Sequence, residues 1–351
     1  MSTPDPVQIR PWHPGDEAGI ARLFERAFGK SISVEHWMWK LRPRPPPFEN
    51  VWIGCSNGQP VFQYAGMPIR FKLGHEVVPA VVSVDTMTAP EFRRRGLLTR
   101  AAGEAYAAWR ERGAAFVIGL PNENWGSRAR ALGWLPLFPL QWLIRPLRPE
   151  VVLRRRLGWE VLARLEFLGT LWNAAFDRRL RPSPDVQVEA AAEAGREFDE
   201  IWDGARGGAD FCTVRDRSWV DWRFFACPSR SYKVAVARRR RIPCGYVCQA
   251  VMGSGLRTSA YLADLQCARS DLRARDALLA YAIAEARRGG AASLHALAVP
   301  GSAEFSALRR LGFFPRREFS VEIVPLRPGL PLDRLRDPAR WHLTGSDFDV
   351  V

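Results

Sequence analysis

The chain has 351 residues, a length for about two domains of ~150 residues each. At 47% hydrophobic, each half can bury a core, which excludes wholesale disorder. No stretch reaches the roughly 18 uncharged apolar residues of a membrane span, and "MSTPDPVQIRPWHPGDE" lacks the basic start and apolar core of a secretory signal, so no membrane span is expected and a cytoplasmic protein is. The net charge is +14, carried almost wholly by arginine: Lys30, Lys40, Lys72 and Lys233 are the only lysines. The charge is spread along the chain, with no zinc-finger or RNP-type motif, so no nucleic-acid partner is expected and a basic surface favouring an anionic cofactor suffices.

Taken in chain order, "VQIRPWHPGDEAGIARLFERAF" from Val7 reads as a short strand and a helix with Ile20, Leu23 and Phe24 on one face. "HWMWKLRPRP" follows, then two strand-like runs, "VWIGC" and "PVFQYAG", joined by the turn "SNGQ". Next come "AVVSVDTMTAP", a long helical segment, and "FVIGLPNENWGSRARALGW". The second half repeats this order from "VQVEAAAEAGREFDEIWDGA" at Val186, with Phe198, Ile201 and Trp202 on the helix face. "SWVDWRFFACP", "YKVAVA", "CGYVCQAV", "AYLADLQCARS" and "LHALAVPGSAEFSALRRLGF" follow in turn. Val7 and Val186, Pro121 and Pro300, and Gly133 and Gly312 all keep one offset, 179. Ordered pairs at one spacing mark two copies of one α/β unit.

Between the copies, "GWEVLARLEFLGTLWNAAFDRRL" offers one broad apolar face, with Trp159, Leu162, Leu165, Leu168, Leu171 and Trp172. A membrane-surface helix beside Arg154, Arg155 and Arg156 is one reading; a strut packed on both copies is the other, and a tandem repeat favours it. The six cysteines form no CxxC pair, and Cys244 and Cys248 have no histidine near them in sequence, so reduced packed thiols and no metal are expected.

The segment "VSVDTMTAPEFRRRGLLTRAAGEAYAAWRERG" carries the chemistry. Alternation puts Val82, Val84 and Thr86 on one strand face and Ser83, Asp85 and Met87 on the other. Pro90 ends the pairing, and a helix with Leu97, Ala101, Ala105 and Ala108 at helical spacing follows. A helix that opens in an arginine-rich turn presents free N–H groups and a positive dipole end to a phosphate. Gly96, without a side chain, lets an anion approach the backbone, and Arg93, Arg94 and Arg95 can pair with it.

Arg93-x-x-Gly96 after a strand and a proline resembles the pyrophosphate loop of the GNAT acetyltransferases. "IRPWHPGDEAGIARLFERAF" is similar to that family's first strand and helix, and Asn122-Glu123 followed by "ALGW" to its later "NE…LGF" segment. The tandem order and "FRRRGLLTR" are especially similar to two-GNAT proteins such as the Eis-type acetyltransferases.

The resemblance implies an α/β (α+β) fold of two GNAT-like domains, each a mixed, splayed sheet flanked by helices. The expected divisions are 1–145 for the cofactor-binding domain, 146–184 for a helical linker, 185–330 for a degenerate second copy and 331–351 for a tail. It implies that the backbone of Thr86, Met87 and Thr88 meets the pantetheine arm of acetyl-CoA. The amides of Arg93, Arg94, Arg95, Gly96, Leu97, Leu98 and Thr99 would hold the pyrophosphate, and Asn122 would contact the cofactor. The implied reaction is acetyl transfer to an amine of a small molecule or peptide. Transfer of a longer acyl or aminoacyl group, and a non-catalytic CoA sensor, are the alternatives.

Two positions depart from the family pattern: Leu98 replaces the usual small residue, and Ala129 stands where a tyrosine general acid is common, with Tyr64 and Tyr106 as unplaced substitutes. A neutral amine needs a base, and Asp85, upstream of the proposed pantetheine contacts, is the first choice. Glu123, His36 and the carboxylate of Val351 follow. In the second copy Arg275 or Asp276 is expected where Gly96 would sit and Gly301 takes the place of Asn122, so only the first copy is expected to bind CoA.

Overall fold

The computed structural model describes residues 6–42, 48–121, 125–152 and 166–348. The chain divides into two compact units, Met1–Leu137 with Val321–Leu332, and Phe138–Ser320 with Asp333–Val351.

In the first unit, strands β1 (Gln8–Pro11), β2 (Val51–Ser56), β3 (Gln59–Leu73) and β4 (Glu76–Thr88) pair antiparallel in that order. The β2–β3 turn takes the left-handed conformations that Asn57 and Gly58 tolerate, φ 50 and 71. Strand β5 (Phe116–Gly119) adds parallel to β4, so the sheet is mixed. The place beyond β5 is filled by Glu322–Pro325, the end of a strand that runs Phe314–Pro325. Helix α1 (Glu17–Phe28) buries Ile20, Leu23 and Phe24, and α2 (Val34–Leu41) buries Trp37 and Leu41. Helix α3 (Leu97–Glu111) buries Leu97, Ala101, Ala105 and Trp109, and α4 (Gly126–Ala131) precedes the turn at Gly133. The apolar faces of α3 and α4 join Phe62, Tyr64, Val81, Val117 and Trp134 in one core.

The same succession of elements recurs in the second unit. Strand β6 (Leu135–Pro146) and helix α5 (Glu166–Asp177) come first; Arg145, fully buried, donates to Asp177 at 2.6 Å. The first 8 residues of the sequence-predicted linker helix, 158–165, lie outside the described residues. Strand β7 (Val186–Ala191) and helix α6 (Glu197–Ala205) follow, then the short β8 (Phe211–Thr213) and α7 (Arg217–Val220). A π turn over Asp221–Phe225 takes up the extra residue that separates Trp219 and Trp222 relative to Trp37 and Trp39. Strands β9 (Tyr232–Arg239), β10 (Ile242–Met252) and β11 (Ser259–Cys267) lead to helix α8 (Leu272–Arg288), β12 (Ser293–Ala298), helix α9 (Ala303–Arg310) and β13 (Phe314–Pro325). The sheet order here is β6-β12-β11-β10-β9-β7.

Leu135 and Phe314, the starts of β6 and β13, keep the 179 offset of the sequence repeat. Yet each closes the other copy's sheet: β13 pairs with β5, and β6 pairs with β12. The exchange is invisible to local pattern, because either strand satisfies the same edge. No helix among the described residues is long and apolar enough to cross a membrane.

Candidate functional site

Strand β4 is not regularly alternating. Val84 pairs with Ala65 and Met87 with Gln63, so three steps along β4 match two along β3. The extra residue is a bulge, and Asp85 in it has φ 46. The bulge corrects the sequence-predicted faces: Met87, not Thr86, joins Val82 and Val84 in the buried set. β4 is bonded to β5 only at Val81 and Val82, through Val117 and Ile118. Beyond that point β4 continues to Thr88 while β5 stops at Gly119, so the strands part where Thr86, Met87 and Thr88 lie. Gly119 packs tightly here, since a Cβ there would press on the Trp134 ring at 3.0 Å.

The chain leaves β4 through a 3₁₀ turn, Pro90–Phe92, and enters α3 at Gly96. Gly96 is the N-cap in the left-handed conformation, φ 71 and ψ 8, and no side chain caps the helix. A Cβ built there meets nothing within 4 Å, so the space over the helix start is open. Left-handed backbone at the cap aims successive N–H groups into one concavity, a form suited to anions.

Arg93, Arg94 and Arg95 are all exposed around it, and Arg94 is also left-handed, φ 64. Arg95 donates to the Glu91 carbonyl at 2.8 Å and lies over the Phe92 ring, while Arg93 reaches the Thr88 carbonyl at 3.4 Å. The acidic Glu91 is tied back by Arg26 of α1 at 2.5 Å. Leu97 is buried and anchors the helix start; Leu98 is half-buried against the core, and Thr99 is exposed.

Asp85 points elsewhere than bulk water. Its carboxylate meets Lys40 of α2 at 2.5 Å, with side chains only 9% and 2% exposed. Gln63 donates to the Asp85 carbonyl at 3.1 Å and accepts from Trp37 at 3.1 Å, which links the bulge to α2. The His36 ring packs tilted against Trp39 of the same helix, with centroids 5.0 Å apart. Sequence reasoning missed Lys40; as one of only four lysines beside an aspartate-bearing strand it was a signal of composition, not of spacing.

Tyr64 and Tyr106 come together in the core rather than at the turn. Tyr64 donates to Tyr106 at 3.1 Å, and Trp134 donates to the same oxygen at 3.1 Å. Burial raises the Tyr106 hydroxyl to about 12 and drives Tyr64 well above its ordinary value, so both stay protonated at neutral pH. Ala129 is buried in the same core. Asn122, Glu123 and Val351 lie outside the described residues.

The second copy differs at the corresponding turn. Only three residues separate β11 from the N-cap of α8, against seven between β4 and Gly96. The N-cap is therefore Asp271, and the expectation of Arg275 or Asp276 there is corrected: the shortened turn breaks the constant offset. The Asp271 carboxylate accepts from Ala274 N at 3.0 Å and from Arg239 at 2.8 and 2.9 Å, so the helix start already holds an anion of its own. Asp276 instead accepts from Arg310 at 2.8 Å and from the Arg181 amide at 3.0 Å.

The counterpart of Asp85, 179 residues on, is Asp264, again beside a bulge, between Cys248 and Gln249 of β10. It is fully buried and bonded by Arg215 at 3.1 and 3.2 Å, Tyr246 at 2.7 Å and Thr344 at 2.9 Å. Burial works against its charge, but Arg215, His342 and these hydrogen bonds hold it below the usual carboxylate range. Among the described residues, no group of three His, Cys, Asp or Glu side chains could hold a metal.

Residues 8–136, which hold the splayed mixed sheet and the glycine-opened helix start, match the model of the acetyltransferase (GNAT) domain family. Three solved structures share the fold of most of the chain. A GCN5-related N-acetyltransferase from Anabaena variabilis ATCC 29413 aligns with a TM-score of 0.65 at 11% identity, over 92% of this chain and 73% of that one. A conserved protein of unknown function and probable N-acyltransferase from Enterococcus faecalis V583 aligns with a TM-score of 0.66 at 12% identity, over 92% and 73%. A GCN5-related N-acetyltransferase from Kribbella flavida aligns with a TM-score of 0.62 at 15% identity, over 91% and 71%. At these identities the likeness is one of fold. No curated protein matches the chain by sequence.

Proposed function

We propose that the protein is an acetyl-CoA-dependent N-acetyltransferase of tandem GNAT architecture, similar to the Eis-type enzymes, with the donor held by the first copy alone. The observation that carries this reading is the start of α3: an uncapped helix opened by left-handed Gly96, with open space above it and exposed arginines around it. The amides of Arg93 to Thr99 bind the pyrophosphate, and the arginines add charge that fixes it. The freed edge of β4 at Thr86, Met87 and Thr88 bonds the pantetheine arm, and Asn122 is a further contact to the donor. When bound, acetyl-CoA supplies an acetyl thioester; the acceptor is an amine of a small molecule or peptide.

Asp85 is proposed as the group that takes the proton from the amine. Its carboxylate is paired with Lys40, and the bulge sets it one residue before the donor-binding backbone. A second reading is favoured by Asp264. The copy with no phosphate turn keeps the same buried carboxylate, also paired with a cation. In that reading the pair braces the bulge and Asp85 is a positioning residue.

Turnover of acetyl-CoA with a panel of amines tests the proposal. Release of CoA dependent on an amine supports it. Binding without turnover points to a sensor, and preference for a longer or aminoacyl donor points to the other transferase chemistry.

A further inference from the structure

The end of β11 in the second unit borders a small cavity lined by Gln266, Cys267, Arg269, Glu304 and His342, with Cys212 opposite. It leaves about 10 Å³ for the centre of a water-sized guest, room for one water. Three of these lining residues carry a buried polar atom with no hydrogen-bond partner among the described residues: Gln266 Oε1, Arg269 Nε, which faces Glu304 Oε1 only at 3.9 Å, and His342 Nε2. Gln266 is only 4% exposed. Left unmet, each such atom carries its full desolvation penalty, so three around one cavity mark a guest.

Donor and acceptor balance identifies it. Arg269 Nε can only donate, and Gln266 Oε1 can only accept. His342 Nδ1 faces Glu304 Oε1 at 3.9 Å, which favours the ring proton on Nδ1 and leaves a lone pair on Nε2. The guest must therefore donate twice and accept once. Water does this; ammonium cannot accept from Arg269, and chloride cannot donate to Gln266 or His342. We propose that this cavity is a binding site for a single water molecule, which fastens the chain segment around His342 to the end of β11.

The neighbouring bonds give that water its purpose. Arg269 donates to the carbonyls of Ala339 at 2.7 Å and Trp341 at 2.6 Å. The His342 amide donates to Phe211 at 3.0 Å. Two residues further, Thr344 donates to Asp264, and Asp347 accepts from Arg215. The segment from Trp341 to Asp347 thus closes over β11 where the first copy leaves β4 open, and the water completes the closure at its start.

A crystal structure at atomic resolution, with a bromide-soaked companion, tests this. One water within hydrogen-bond distance of all three atoms is expected. An empty cavity, or anomalous bromide scattering in it, would overturn the proposal. Gln266→Met then tests the energetics in solution. With water bound, the thioether strands the water, and the melting temperature falls by ~2–5 °C while the Trp341–Asp347 amides exchange about tenfold faster. If the cavity is dry, removing an unmet acceptor raises the melting temperature or leaves it unchanged, and exchange stays at the wild-type rate.

Discussion

Gly96→Ala separates the backbone's need for glycine from the ligand's need for space. A Cβ at 96 touches nothing in the protein, so the free chain suffers only the left-handed strain of φ 71, about 1–2 kcal/mol. For a chain of 351 residues that is a fall of roughly 1–3 °C in melting temperature. On the proposed reading, the same methyl would stand where a phosphate oxygen approaches the helix N–H groups. Losing one hydrogen bond to a charged group removes about 1.5–3 kcal/mol, a weakening of acetyl-CoA binding of roughly 10- to 150-fold. The control lies on the same helix: a Cβ at the exposed Gly103 also meets nothing, and its φ is not positive. Gly103→Ala should stabilise by about 0.5–1 kcal/mol and leave affinity alone. Calorimetry with acetyl-CoA on the three proteins, paired with thermal melts, reads both effects. Wild-type affinity in a folded Gly96→Ala protein would refute the phosphate-turn argument.

Asp85→Asn should lower kcat by roughly 10²-fold and remove the acidic limb of the pH–rate profile if Asp85 is the base; a risen KM for acetyl-CoA with kcat retained would assign it to bracing the bulge. Asp271→Ala removes an N-cap and should lower stability by about 1 kcal/mol, while titration still counts one acetyl-CoA per chain; two would show that the second copy retains a site. His342 is pushed below its ordinary value by burial and by Arg215, against the pull of Glu304, Asp264 and Asp347. Its lowered folded value means that the unfolded chain binds the proton first, so stability is full above about pH 6.5 and falls as the pH drops below it. In urea melts from pH 7.5 to 5.0, His342→Gln should flatten that slope, and an unchanged slope would clear His342 of the effect.

The apolar faces of α1 and α6 were legible because helical spacing marks them: Ile20, Leu23 and Phe24, and Phe198, Ile201 and Trp202, are all buried. The turn that opens α3 was legible because a strand, a proline, arginines and a glycine follow one another directly. What pairs across distance was not. Lys40 lies 45 positions before Asp85, and nothing local records their contact. The exchange of β6 and β13 leaves no trace, since the two strands are equivalent by pattern. Asp271 was missed because the offset of 179 holds across elements but not through a turn shortened from seven residues to three. Asp264, by contrast, sits on that offset, and its match to Asp85 was open to the sequence alone.

Hydrogen exchange of the full chain with and without saturating acetyl-CoA tests the central claim most directly. One donor site in the first copy predicts slowed exchange in residues 84–100 and no change in 264–276. Protection of the second segment, or of neither, would contradict it.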